Sequence, residues 1–496
     1  MSQPAPLTGR VAEPVTLRIF RSFLSFPAVL ICLLAVLALL TVRNRFDDSD
    51  LWWHLKMGEV IWTTHAIPLA DLFSFTTHHQ SLVPQEWLAE VTIYAAYRCA
   101  GLSGLMFWLC FFAIGQVIAG YVLCALFSGN LKVAFAGAML VWLFATEGFS
   151  LRPQLIAYLL LIVELCIIHL GRTRNARWFF ILPAIFVIWI NCHGSFMLGL
   201  ILAGIYTFAS FFSFRVGSLV SEAWPQNSRR AFLIALGISV AALLLNPAGI
   251  RQILYPFDTM LKMPLLVVNV QEWAPLNMTE ARGVALLAVL LLILLLAVTR
   301  RAELYFDELL LLTAGTWLAV SHQRMLPVFG ILAAPIVSRQ LAGAWENYEA
   351  AKDRIAPNAG MILLCLMALW IGFPSAANLQ AQVEAQSPVK AVDFLRSSHL
   401  AGPMLNAYDF GGYLIWAAPE YPVFIDGRTD IYEWSGVLGE FGNWAMLRSD
   451  PRALLRKYKI GFCLLERQSP VAHVLALMPG WKLVYSDSIS VIFARA

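Results

Sequence analysis

Charge is what this chain has least of. Asp, Glu, Lys and Arg make up 13% of its 496 residues against 59% hydrophobic, and the mean hydropathy is +0.69. A water-soluble domain carries roughly 25% charged residues to wet its exterior. Half that value excludes a soluble enzyme and places most of the outer surface against lipid. The charges also nearly cancel, 35 basic against 31 acidic for a net of +4, and no basic block exists, which excludes nucleic-acid binding. The eight cysteines include no close pair at metal-ligand or redox spacing. They read as small buried residues in apolar stretches. No secretory cleavage site follows the first apolar run, Phe23 to Val42, which reads as an uncleaved signal anchor.

What the chain has is apolar runs. A span needs about 20 mostly apolar residues to cross about 30 Å of hydrocarbon. Candidates fall near 22–42, 104–127, 132–149, 154–170, 177–191, 195–213, 231–245, 283–299, 306–320, 325–340 and 358–374. The expected fold is therefore an α-helical polytopic membrane protein of about 11 spans. With the N-terminus inside, Arg10, Arg18, Arg21, Lys132, Arg172, Arg174, Arg177, Arg215, Arg229, Arg230, Arg300, Arg301, Arg339, Lys352 and Arg354 all fall on the cytoplasmic side. That pattern obeys the positive-inside rule. The expected organisation is a cytoplasmic tail at 1–21, a transmembrane module at 22–374 with a first extracytoplasmic loop at 43–103, and a small extracytoplasmic α/β domain at 375–496. In the loop, LWWHLKMGEVIW and EWLAEVTIYAAY have the apolar spacing of amphipathic interface helices. In the C-terminal part, PVFID, GFCLLE and SVIFAR read as short strands.

On this topology the remaining polar groups collect at outer ends. Asp47, Asp48, Asp50, His54, Asp71, Glu86 and Glu90 lie in the first loop; Glu147, Arg152 and Gln154 in EGFSLRPQ; Asn191 and His193 in NCHGSF. Asn246 and Arg251, Gln271 and Glu272, and His322 and Arg324 follow in later loops. Polar groups at membrane depth are costly and mark sites. Turns as short as NCHGSF and SHQRM leave His and Arg little solvent to face, so a shared cavity is expected. Ordinary interfacial loop residues are the bland alternative. Glu164, inside a span, reads as an isolated acid turned toward a neighbouring helix, with a proton or ion route as its functional alternative.

The sharpest local signal is RFDDSDLWWHLKMGEVI. Asp50 precedes a helix and would serve as an N-cap. Asp48 and Asp50 would equally chelate a divalent cation such as Mg or Mn, or divide the work of a general base and its positioner. Trp52 and Trp53 would either stack on a sugar face or anchor the chain at the interface.

A D-x-D in the first outer loop, followed by interface helices and about a dozen spans, resembles the GT-C superfamily of membrane glycosyltransferases, including a bacterial branch of GT-C-like proteins. The resemblance covers about residues 20–374. It implies a hexosyl- or pentosyl-transferase in the bacterial cytoplasmic (inner) membrane that moves a sugar from a polyprenyl-phosphate-linked donor to a glycan, lipid or protein acceptor. Asp48 or Asp50 would be the catalytic acid residue near the nucleophile, and the metal ligands if a metal is used. Glu86, Glu90, Glu147 or Glu272 would be the second acid or bind acceptor, and Arg152, His193, His322 and Arg324 would hold the donor phosphate. NAYDFGGYLIW distantly resembles the acceptor motif of oligosaccharyltransferases but lacks its paired Trp. Tyr408, Asp409, Asp426 and Arg428 would cap the substrate, or Asp426 and Arg428 would simply pair in a strand-turn. A transporter or flippase for a lipid-linked precursor, and a non-catalytic scaffold, are the alternative functions; the nearly bare midplane and absence of a repeat favour the enzyme.

Overall fold

The computed structural model describes residues 22–262 and 271–496; the tail carrying Arg10, Arg18 and Arg21 lies outside them. Each of the eleven expected spans coincides with a helix. Among the described residues, Trp87–Ser128, Leu131–Gly148, Gln154–Thr173, Ala281–Val298 and Ile355–Gly372 are long and apolar enough to cross a bilayer. The other expected spans are helices of 11 to 17 residues, from Leu182–Cys192 to Phe26–Val42 and Gln226–Ala242.

Helix Leu326–Gln340 is the centre of the bundle, buried at every position from Leu326 to Ser338. A helix apolar on all sides has no wetted stripe and sits inside. Small residues bring its neighbours close: a Cβ at Gly330 would strike Phe144, and one at Gly137 would strike Ser338 and Cys124. Asn130 fixes the next turn by capping Leu131–Ala145 with its oxygen and donating its amide to the carbonyls of Ala342 and Trp345.

The long helix Trp87–Ser128 contains a break at Ala100 and Gly101, where Gly101 takes φ +57°. The first interface helix, Leu51–Thr64, crosses the segment before this break. Gly58 sits at the crossing, where a Cβ would meet the backbone of Glu90. Cysteines follow their expectation only in part, since Cys99 is exposed and Cys32 and Cys166 are half-buried.

Beyond residue 375 the chain builds a four-stranded sheet of β1 (Met404–Asn406), β2 (Phe462–Glu466), β3 (Trp481–Ser486) and β4 (Ser490–Arg495), in the spatial order β1-β2-β4-β3. β1 and β2 are parallel and the other pairings antiparallel. GFCLLE and SVIFAR are β2 and β4 as expected, whereas PVFID is not a strand. The side chain of Asn406 takes the backbone groups a neighbouring strand would use, accepting from Phe424 N at 2.8 Å and donating to the Ile425 carbonyl at 2.7 Å.

The first loop is stitched into this layer. Ser74 bridges Val423, and Thr76 Oγ1 donates to the Phe424 carbonyl at 2.6 Å. Arg428 clamps Asp426 through Nε at 2.8 Å and Nη2 at 2.6 Å, and reaches Asp71 with Nη1 at 2.6 Å. All three side chains are buried. Removing one partner from such a group leaves uncompensated charge in a dry site. Arg428→Ala should therefore lower stability by about 3–5 kcal/mol and free the 68–84 segment to proteases. Arg396→Ala, which breaks an exposed pair with Glu420 and an exposed hydrogen bond to the Ala417 carbonyl, should change the melting temperature little. Equal effects of the two changes would contradict a clasp.

Candidate active site

The D-x-D turn is shaped by its own side chains before any partner arrives. Asp48 Oδ1 accepts from Asp50 N at 3.0 Å, an Asx-type turn that leads into Leu51–Thr64. Asp50 stands at the N-cap position but makes no capping hydrogen bond. Its Oδ1 accepts instead from Trp53 Nε1 at 3.2 Å, and its Oδ2 lies 3.1 Å from Nη2 of Arg152. Arg152, from the turn before Gln154–Thr173, also places Nε 2.7 Å from Asp48 and Nη1 3.0 Å from both oxygens of Glu272. Three carboxylates thus converge on one guanidinium.

Two glycines let the C-terminal layer close on this turn. A Cβ at Gly412 would strike the Ser49 carbonyl, and one at Gly427 would strike Oδ1 of Asp50. The glycines of NAYDFGGYLIW are thus explained by close packing. Trp52 is buried edge-to-face on Tyr413, with ring centroids 5.1 Å apart, while Trp53 faces a cavity.

That cavity has a volume of about 1190 Å³. Asp50, Arg152 and Glu272 line it, with Arg324, His322 and His193 from the short turns; Asp48 sits behind them. Arg324 Nη2 donates to Gln154 at 3.2 Å and its guanidinium lies 4.5 Å from the centroid of Trp273. Among the described residues it has no carboxylate partner. His322 Nδ1 bonds the Trp273 carbonyl at 2.9 Å, which leaves Nε2 for the cavity. His193 Nδ1 accepts from Ser195 N at 3.1 Å, so the neutral ring carries its proton on Nε2. From the C-terminal layer come Tyr408, Asp409, Arg428 and Asp430. Met197, Leu198 and Ile201 on one helix and Trp317 and Leu318 on another make an apolar mouth, and Ile201 and Trp317 are exposed at it.

Burial governs the titration of these groups. It raises Asp50 to about 7, with Arg152 opposing and Asp48 adding to the rise. It raises Glu86 to about 8, aided by Asp50 and Asp430, and holds Glu90 well above the usual carboxylate range. His193 is pushed down to about 3 by burial and then by Arg324 and Arg152.

A second group lies beside the first. His54 Nδ1 is 3.2 Å from Glu90 Oε1 and 3.8 Å from Glu86 Oε2, and one donor atom from each of the three lies within 4.8 Å of the others. These are the residues with metal-ligand geometry among those described. His54 and Gly58 share a helix face, as do Glu86 and Glu90, so the crossing at Gly58 sets the group.

Other expected residues lie apart. Glu147 is exposed and pairs with Arg282. Asn246 closes its own turn on Gly249, and Arg251 bonds Ser81. Tyr408 and Asp409 do line the cavity, Tyr408 bonded to Thr429 at 2.8 Å and Asp409 hydrogen-bonded to Glu466. Asp426 is committed to Arg428 and Tyr432. Tyr255, which donates to Asp430, had no local signal beyond an amphipathic segment. Glu164 is buried against Gly199 with both carboxyl oxygens lacking a hydrogen-bond partner.

Two solved proteins share this fold. The apo oligosaccharyltransferase of Archaeoglobus fulgidus superposes with a TM-score of 0.56 at 11% identity, over 90% of this chain and 70% of its own. ArnT of Cupriavidus metallidurans bound to undecaprenyl phosphate gives 0.53 at 12% identity, over 94% of this chain and 97% of its own. The archaeal enzyme in complex with an inhibitory peptide and a dolichol-phosphate gives 0.52 at 12%, over 91% and 70%. Both proteins are GT-C glycosyltransferases, and the expected resemblance is borne out at the level of the fold. No protein-family model and no curated protein sequence matches the chain.

The packing of Gly427 on Asp50 yields a direct check. Gly427→Ala should destabilise the protein by about 1–3 kcal/mol through overpacking. Gly442→Ala, at a helical position with nothing within 4 Å of the added Cβ, should be neutral or stabilising. Thermal melts of the two variants in detergent measure this, and an unperturbed Gly427→Ala protein would contradict the contact.

Proposed function

We propose that the protein is a membrane glycosyltransferase that moves a sugar from a polyprenyl-phosphate-linked donor to an acceptor at the outer face of the cytoplasmic membrane. One observation carries this reading. A single cavity presents the Asp50 carboxylate, an unpaired Arg324 with two imidazoles beside it, and an apolar mouth between two helices. The prenyl chain enters between the helices bearing Ile201 and Trp317. Arg324 takes the phosphate, because a planar guanidinium suits phosphate oxygens and this one forms no ion pair among the described residues. His193 and His322 flank it. ArnT bound to undecaprenyl phosphate and the oligosaccharyltransferase in complex with dolichol-phosphate support this ligand class by fold likeness.

Asp50 is the general base and Asp48 positions it through Arg152. The acceptor loses its proton to the Asp50 carboxylate as its oxygen or nitrogen bonds the anomeric carbon. The bond from that carbon to the phosphate oxygen breaks, and its electron pair leaves with the phosphate beside Arg324. Tyr408, Asp409, Arg428 and Asp430 close the cavity from the C-terminal layer, which we assign as an extracytoplasmic α/β domain over 375–496.

Orientation is read from helix Gln154–Thr173. Gln154 meets Arg324 at its cavity end and Arg172 meets Asp307 at its other end. The two lie about 27 Å apart, 18 residues at about 1.5 Å each, close to one hydrocarbon thickness. The basic end also holds Arg215 and Arg339, which supports a cytoplasmic position for it by the positive-inside rule.

Asp50→Asn should abolish sugar transfer from a polyprenyl-phosphate donor in reconstituted vesicles while the protein is still expressed and folded, with a melting temperature lowered by the loss of one partner of Arg152. Because the Asp50 pKa is raised to about 7, the charged base is lost as pH falls. The wild-type rate should drop roughly tenfold per unit below about pH 7. Full transfer by Asp50→Asn, or a rate flat between pH 5 and 8, would sink the assignment.

A further inference from the structure

His54, Glu86 and Glu90 form a group that the transfer steps above do not use. The 3.8 Å between His54 Nδ1 and Glu86 Oε2 is too long for a hydrogen bond. It is close to the separation of two ligands on one ion, since tetrahedral donors about 2.0–2.1 Å from Zn²⁺ stand roughly 3.3 Å apart. The 3.2 Å from His54 Nδ1 to Glu90 Oε1 matches that edge as well.

The group also lacks positive charge. Among the described residues, no Lys or Arg forms an ion pair with Glu86 or Glu90. Of the guanidiniums whose charge reaches these acids, Arg152 is committed to Asp48, Asp50 and Glu272, Arg428 to Asp426 and Asp71, and Arg324 acts on Glu86 only from beyond ion-pair distance. Two acids one helical turn apart, one of them 5% exposed and the other 14%, then share a dry site with an imidazole. A buried acid pair of this kind is costly to ionise unless a cation joins it. His193 faces Glu86 Oε1 with Nε2 at 3.5 Å. Because that nitrogen carries the proton when Ser195 N occupies Nδ1, His193 is placed as an outer donor that orients a ligating carboxylate.

We infer that His54, Glu86 and Glu90 bind one divalent transition-metal ion, with a free coordination position facing the cavity. One nitrogen with carboxylate oxygens suits Zn²⁺ or Mn²⁺ better than Mg²⁺, and three protein ligands leave the fourth position open. His54, Glu86 and Glu90 all line the cavity, so the open side meets whatever occupies it. The ion thus sits beside the Asp48 and Asp50 turn, whose carboxylates are held by Arg152. The inference stands apart from the proposed transfer, because it is read by metal content.

The full chain in lipid nanodiscs, stripped with chelator and dialysed against Zn²⁺, should retain one ion per chain. Glu86→Gln with Glu90→Gln should weaken Zn²⁺ binding at least tenfold, on the scale of losses seen for metal-site changes. Asp48→Asn should leave it unchanged. X-ray absorption of the Zn²⁺-loaded wild type should show imidazole nitrogen together with oxygen, a result that does not require any variant to fold. Absence of stoichiometric Zn²⁺, unchanged affinity in the double variant, loss of the ion in Asp48→Asn, or an oxygen-only shell would each overturn the inference.

Discussion

One guanidinium organises the cavity end of this molecule. Arg152 meets Asp48 and Asp50 from one chain segment and Glu272 from another more than 200 residues away. Such a group is stable only as a set, because any one partner removed leaves charge without compensation in a partly dry site. Its consequence is positional. The D-x-D turn is held in a single conformation ahead of Leu51–Thr64, with Asp50 turned to the cavity and Asp48 behind it. Arg324, in contrast, forms no ion pair among the described residues although it lines the same cavity, so the site holds a neutralised arginine and an available one side by side.

From that turn the rest follows by contact. Asp50 packs on Gly427, the next residue Arg428 reaches back to Asp71, and the first loop and the C-terminal layer become one wall. Leu51–Thr64 then crosses the following helix at Gly58, which brings His54 to Glu86 and Glu90. A polar wall and its place beside an apolar mouth therefore arise from packing that begins at the D-x-D segment.

Much of the fold was legible because its signals are local. Apolar runs of 15 to 24 residues have few alternatives to helix in lipid, and all eleven became helices, although several are shorter than a crossing requires. Short polar turns also announced the cavity, and Arg152, His193, His322 and Arg324 do meet there. What escaped was pairing at a distance. Asp50 looked like an N-cap because its true partners lie 102 and 3 residues away, at Arg152 and Trp53. Glu147 shared a loop with Arg152 yet turned to Arg282. PVFID had strand composition, but the amide of Asn406 satisfies its backbone instead. The Asp71 to Arg428 contact spans 357 residues and left no trace in either segment.

The central claim is that one cavity places a lipid-linked phosphate on Arg324 with the sugar's anomeric carbon toward Asp50. The most direct measurement is a cryo-EM structure of the nanodisc-embedded protein with a non-hydrolysable polyprenyl-phosphate sugar. The account predicts phosphate density within hydrogen-bond distance of Arg324, the prenyl chain leaving between Ile201 and Trp317, and the anomeric carbon on the Asp50 side. Phosphate density on the basic end near Arg172, or a prenyl chain leaving elsewhere, would contradict it.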